Sequence, residues 1–99
     1  MNPGRFTLTE VAQKDLDAIG SYTLERWGPQ QVIRYLSQID ETFHNLGLSD
    51  GNDRDESAIR PRLLSVRSGS HVIFFRRRGN GDAEVLRILH QRMDFRRHL

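Results

Sequence analysis

The chain has 99 residues, no cysteine and a formal charge of +2, which limits it to one hydrophobic core and excludes disulfides, thiolate metal sites and cysteine nucleophiles together. No apolar run approaches the roughly 20 residues that span a bilayer, and Met1 to Glu10 lacks the apolar core of a signal peptide, so a single domain over residues 1–99, soluble and cytoplasmic, is expected. The charge is uneven: residues 1–57 carry five basic and ten acidic side chains, residues 58–99 carry ten and three, and every basic residue of the second half is arginine.

Arg5 to Thr9 alternates polar and apolar side chains, the pattern of a short half-buried strand with Phe6 and Leu8 on one face. Thr9 suits a helix N-cap, because its hydroxyl accepts from a free amide of the first turn, and Glu10 then lies at the positive end of the dipole. The helix that follows carries an apolar stripe on Ala12, Leu16, Ile19 and Thr23, with Trp27 completing it. Gly28-Pro29 ends that helix and starts another, since glycine accepts the left-handed geometry past a C-terminus and proline fits a first helical position. The second stripe is Val32, Leu36, Ile39, Phe43 and Leu46, closed by Gly47. Two stripes joined by so short a turn predict an antiparallel helical hairpin.

Leu48 to Arg60 is acidic and contains a Gly-Asn-Asp turn signal, so it reads as a mobile surface loop. Three strands are predicted next: Arg62 to Arg67, His71 to Arg76 after Ser68-Gly69, and Glu84 to His90 after the Asn-Gly hairpin signature at Gly79-Asn80-Gly81. The middle strand is apolar on both faces, which places it centrally, with one face against the helical hairpin and the other under the C-terminal segment or a partner. The order β-α-α-β-β-β predicts an α+β fold of two layers, the hairpin packed on one face of a mainly antiparallel sheet, followed by a short tail. Asp94 is positioned to cap a terminal turn over Phe95 to Leu99, with Met93 and Phe95 packing the tail back as a latch.

His44, one step from Phe43, reads as a solvent-edge residue, and none of the histidines has HxxxH or HxH spacing, so neither a metal site nor a cofactor is expected. Ser65, Ser68 and Ser70 lie near His71 without a G-x-S-x-G elbow, as serines of a hairpin turn do. The arginines offer more. Arg76, Arg77 and Arg78 alternate across the end of the middle strand, and Arg92, Arg96, Arg97 and His98 follow the last one. Such a cluster could stabilise charge on a scissile phosphate while a histidine moves protons, or equally hold an acidic polypeptide in its planar, bidentate forks. A GC-rich coding sequence accounts for the preference for arginine over lysine as well as function does, but not for where the arginines gather.

Leu8-Thr9 before a helix with Asp15-Leu16 and Ile19, Trp27-Gly28 before a second with Tyr35-Leu36, then Ser70 to Arg76, Arg87-Ile88-Leu89-His90, Arg92-Met93-Asp94 and His98-Leu99 follow one another in this order. Together they resemble the ParE branch of the RelE/ParE toxin superfamily over nearly the whole chain. The resemblance implies a bacterial type II toxin that inhibits DNA gyrase by binding, without catalysis, and is held in a hetero-oligomer by a ParD-type antitoxin that wraps an extended, helix-bearing tail around it. Neither a membrane nor direct nucleic-acid contact is expected. Arg76, Arg77, Arg78, Arg92, Arg96, Arg97 and His98 are then the candidates for antitoxin or target contact. The alternative it implies is a RelE-like ribosome-dependent mRNA endoribonuclease. Such nucleases use basic residues entering the first sheet strand, an arginine opening the central strand, another past the last strand and a tail tyrosine. This chain offers Arg60 and Arg62, then His71, Arg92 and His98, so two of the four locations are altered.

Overall fold

Residues 5–46 and 53–99 are described by the computed structural model of the chain. Strand β1 (Phe6–Leu8) leads into α1 (Glu10–Trp27) and α2 (Pro29–Asn45). Strands β2 (Arg54–Asp55), β3 (Leu64–Ser68), β4 (His71–Arg77) and β5 (Ala83–His90) follow, and a 3-10 turn at Phe95–Arg97 ends the chain. The sheet runs β1-β5-β4-β3-β2, and β1 with β5 is its one parallel pair. The α+β architecture expected from the sequence is the one found, with β2 added at the edge.

Local chemistry explains the boundaries. Thr9 caps α1 as expected: its Oγ1 accepts from Ala12 N at 3.1 Å and donates to the Leu86 carbonyl at 3.1 Å, so one hydroxyl serves helix and sheet. Gly28, at φ +87°, ends α1 with its N–H on the Leu24 carbonyl at 3.0 Å, and Pro29 opens α2. Ala12, Ile19 and Thr23 are buried, but Trp27 is 66% exposed, because the chain turns at Gly28 before the stripe reaches the sheet again. Trp27 is therefore not the end of the core stripe.

Gly47 and residues 48–52 of the expected loop lie outside the described residues. The rest of that loop is structured: Arg54 and Asp55 pair with Ser65 and Leu64. Arg62, predicted on a strand, instead sits at φ +65° in a turn closed by Leu63 N on the Arg60 carbonyl at 3.1 Å. Pro61 precedes it at the second turn position, as in a type II turn, and the left-handed conformation costs a non-glycine residue about 1 kcal/mol.

The sheet is buried on both faces. Ile73, Phe75, Ala83, Val85 and Ile88 meet the helices, packing with Ala12, Ile19, Ile39 and Phe43. Against the single core expected from the length, Leu63, Phe74 and Leu89 form a second, smaller core on the opposite face, because the turn and tail residues Ile59, Phe95 and Leu99 cover it. Phe95 stacks edge-on to Phe74 with ring centroids 4.9 Å apart. The latch is thus Phe95 with Leu99. Met93 is 40% exposed and not part of it, and Asp94 holds the N-cap position without a capping hydrogen bond, lying 3.6 Å from Arg97 instead.

A bulge separates the two halves of β5. Pairing passes from Phe74 opposite Arg87 to Phe75 opposite Val85, and Leu86 is the extra residue. Val85 and Ile88 therefore face the same helices although three positions apart. Past the end of β1, which pairs β5 only through Val85, the outer edge is taken up by α1: Asp15 accepts from Arg87 Nε at 2.8 Å, Arg87 Nη2 at 3.0 Å and Ile88 N at 2.9 Å. Arg87 Nη1 continues to the His98 carbonyl at 3.1 Å. Both side chains are largely buried, at 15% and 21% exposure, so Asp15→Ala leaves an unpaired guanidinium and an orphaned amide and should cost about 2–4 kcal/mol. Asp15→Asn, which keeps an acceptor, should cost less; urea unfolding midpoints of the two variants measure the difference.

Candidate functional site

The end of the sheet where β4 begins and β5 finishes is open between α1 and the turn after β5. His71 opens β4 and His90 closes β5, so antiparallel pairing sets them directly opposite each other. Their rings meet edge to face with centroids 5.3 Å apart. A cleft of about 320 Å³ lies here, walled by Asp15, Ala18, Ile19, Tyr22 and Thr23 of α1, Arg87 to His90 of β5, and Met93. A second hollow of about 360 Å³ adjoins it, sharing Tyr22, Thr23, His71 and His90 and extending to Trp27, Gln31 and Tyr35. The exposed Tyr22, Trp27 and Met93 thus line one continuous, mostly apolar groove.

Tyr35 of α2 holds the inner side of this groove. Its hydroxyl accepts from Ser70 N at 3.0 Å and lies 2.6 Å from His71 Nδ1 and 3.3 Å from the Ser68 carbonyl. With the amide proton already received, the phenol has one proton to give. When Nδ1 is unprotonated it accepts that proton, and when Nδ1 carries a proton, in either the neutral Nδ1 tautomer or the charged ring, it donates to the phenol, which turns to Ser68. The ring itself lies against the turn at Gly69, whose φ is +58° and where an added Cβ would fall 2.7 Å from Tyr35 Cε1. Glycine is required there twice over, by the left-handed backbone and by the ring.

Burial holds the His71 imidazole below its ordinary value, His90 adds to this, and Asp15 opposes it. Arg87 is held above its ordinary value by the hydrogen bonds to Asp15, against the effect of burial.

The residues singled out in the sequence fall on two sides of the sheet. His71 is in the groove on the helix side, joined there by His90 and Tyr35. Arg60 and Arg62 belong to the turn whose Ile59 and Leu63 pack into the opposite core, and Arg96, Arg97 and His98 belong to the tail, whose Phe95 and Leu99 pack there too; Arg92 lies between the cleft residues His90 and Met93, its N–H on His90 Nδ1 at 3.2 Å. Arg96 Nη1 reaches the Ala58 carbonyl at 3.4 Å, linking tail and turn. His98 lines neither hollow with His71, and its carbonyl meets Arg87 instead. Arg76 and Arg78 share Glu84, at 2.6 and 3.5 Å, and Arg77 pairs with Asp53 at 2.9 Å while lying over the Phe75 ring. Ser65 donates to Glu56 at 2.9 Å, and His44 lies 3.4 Å from Asp40 at the surface. Among the described residues no three histidine or acidic side chains converge as metal ligands, and no helix is long and apolar enough to cross a membrane.

Sequence reasoning missed Asp15, Tyr35 and His90 as members of one site. The hairpin signal at Asn80-Gly81 could have paired β4 with β5, but the bulge moves the partner of His71 by one residue, and nothing in the sequence marks Leu86 as the extra one.

Comparison with known proteins agrees with this architecture. The family model described as "ParE toxin of type II toxin-antitoxin system, parDE" matches residues 6–95. Toxin ParE1 of Mycobacterium tuberculosis is 36% identical over 95 residues, covering 96% of this chain and 97% of that protein. Toxin ParE of Escherichia coli is 36% identical over 89 residues, covering 90% and 86%. Among solved structures, the chromosomal ParDE toxin-antitoxin system from P. aeruginosa superposes with a TM-score of 0.74 at 21% identity, over 91% of this chain and 98% of that one. The RelBE2 toxin-antitoxin complex of Mycobacterium tuberculosis gives 0.60 at 18% identity, over 89% and 98%.

Two outcomes follow from the groove. Gly69→Ala should lose about 2–3 kcal/mol, from backbone strain and collision with Tyr35, read as a lower unfolding midpoint. Because the folded-state value of His71 lies below the ordinary 6.5, the unfolded chain takes up the proton first, so stability is full above that value and falls as pH drops from there through the folded-state value. Urea midpoints taken from neutral to acid pH should fall less steeply in His71→Asn.

Proposed function

This chain belongs to the ParE toxin family of type II toxin-antitoxin systems, and we propose from that membership that it acts by binding rather than by cleaving bonds, inhibiting DNA gyrase until a ParD-type antitoxin neutralises it in the cytoplasm. The observation that carries the non-enzymatic reading is the division of its candidate chemistry. His71 faces the helix-side groove with Arg92 beside it, next to His90, whereas the Arg60 and Arg62 turn and the tail with His98 pack toward the opposite face through Ile59, Leu63, Phe95 and Leu99. A general acid-base reaction needs its proton carriers within hydrogen-bond reach of one substrate. The nuclease alternative, which relies on those five residues acting together, loses support for the same reason.

In this reading the two surfaces have separate tasks. The apolar groove with Tyr22, Trp27 and Met93 receives the antitoxin, in an interface on the order of 2,000 Å² or more, as permanent complexes bury. Arg96, Arg97 and His98, in the tail that Phe95 latches to the other side, meet the target, while Arg92, between the groove residues His90 and Met93, stays with the groove. Arg76, Arg77 and Arg78 stay mainly engaged with Glu84 and Asp53 and contribute less to either surface.

Purified protein should block supercoiling of relaxed plasmid by gyrase from its own host at near-stoichiometric ratios. Arg96→Glu with Arg97→Glu should raise the amount required while leaving the fold intact. Unimpaired supercoiling at excess toxin would end the gyrase reading, and new RNA ends in a translating extract would revive the nuclease one.

A further inference from the structure

Strand β1 is three residues long and pairs with β5 only from Ala83 to Val85, whereas β5 runs on to His90. Among the described residues, the outer edge of its second half thus has no strand beside it. Alternation decides which backbone groups point there. Ile88 N–H reaches Asp15 at 2.9 Å and the His90 carbonyl accepts from Met93 N at 2.9 Å, both away from β4. The Ile88 carbonyl and the His90 N–H lie on that same edge, and neither has a hydrogen-bond partner among the described residues.

A carbonyl and an N–H two residues apart on one edge are the complement of a single residue in a parallel strand, which gives its N–H to the first and accepts the second on its own carbonyl. β1 already runs parallel to β5 along this edge. The two groups open into the cleft beside Ala18, Tyr22 and Met93. The Arg26 guanidinium lies 5.9 Å from the ring centre of Tyr22, which lines the cleft, and Arg92 sits between the lining residues His90 and Met93; neither has an ion pair among the described residues. Free backbone hydrogen bonds, apolar walls and uncompensated positive charge together describe an extended polypeptide with acidic flanks.

We propose that the outer edge of β5 receives an extended segment of the antitoxin as an added strand, parallel to β5, with one residue opposite Leu89 bonded to the Ile88 carbonyl and the His90 N–H. Apolar residues on either side of it enter the cleft, and acidic residues beyond them meet Arg26 and Arg92. The inference rests on the antitoxin reading above and adds the mode of engagement.

Amide exchange on the full-length chain, alone and in complex with its cognate antitoxin, tests it. In the free chain the His90 amide should exchange faster than that of Leu89, which points toward β4; in the complex it should slow by about ten-fold or more. His90→Pro removes this N–H without touching the β4 ladder and should weaken antitoxin binding about ten-fold more than His90→Ala, which loses only the ring. If His90→Pro does not fold, exchange in the unaltered complex still decides. A complex that forms while the His90 amide exchanges as in the free chain overturns strand addition and leaves the antitoxin reading standing. Failure of any complex to form removes both, and protection that rises with the concentration of the chain alone gives the edge to a second copy and overturns the proposal.

Discussion

The Asp15 carboxylate accepts from both Nε and Nη2 of Arg87 and from the backbone of Ile88, and the position of nearly every other functional element depends on that one group. It is the acceptor that the outer edge of β5 needs, because β1 ends opposite Val85 and leaves the Ile88 N–H without a neighbouring strand. A paired strand would satisfy it equally well but would close the edge. By using a helix side chain instead, the fold ties α1 to β5 and still leaves a cleft between them. The third arm of Arg87 carries the same anchor through to the tail at His98, so the groove on one face and the arginines near the other are fixed relative to one another.

The bulge also explains how a five-stranded sheet can be apolar on both sides and yet present different chemistry on each. Before it, Ala83 and Val85 face the helices; after it, Ile88 and His90 do, and Leu86 and Leu89 are left to the second core with Phe74. His90 is thereby brought opposite His71, and the imidazole pair enters an apolar groove where burial disfavours charge on His71. The groove is lined by Tyr22, Trp27 and Met93, large side chains of the kind that recognition of a polypeptide uses.

Much of this is legible in the residues themselves. The stripes from Ala12 to Thr23 and from Val32 to Leu46, the Thr9 cap, the Gly28-Pro29 junction and the Asn-Gly turn each follow from local geometry, and the family resemblance rests on the same positions. What the sequence conceals are non-local arrangements. Trp27 continues the helical spacing but not the burial, since spacing says nothing about where the sheet ends. Pro61 is a turn signal at the edge of a strand-like run, and its consequence is the left-handed Arg62. β2 is two residues long and has no pattern to detect. A tail latch follows from the apolar residues after β5, but Leu99 occupies the place that the sequence suggests for Met93, because a terminal leucine and a mid-loop methionine are equally apolar on paper.

The opposed charges of the two halves acquire a specific meaning in the folded chain. Acidic residues of the first half reach across to neutralise arginines of the second at chosen points: Asp15 takes Arg87 and Asp53 takes Arg77. Glu84, one of the few acids in the second half, serves both Arg76 and Arg78. The arginines of the β4-β5 hairpin are thus largely spent on internal pairing, although they form the densest run in the sequence. Positive charge with weaker internal compensation is left on Arg60, Arg62 and Arg67 and, after the last strand, on Arg92, Arg96 and Arg97. The field that the folded chain presents is set by which arginines remain uncompensated, and those lie outside the β4-β5 hairpin although the hairpin holds the densest run.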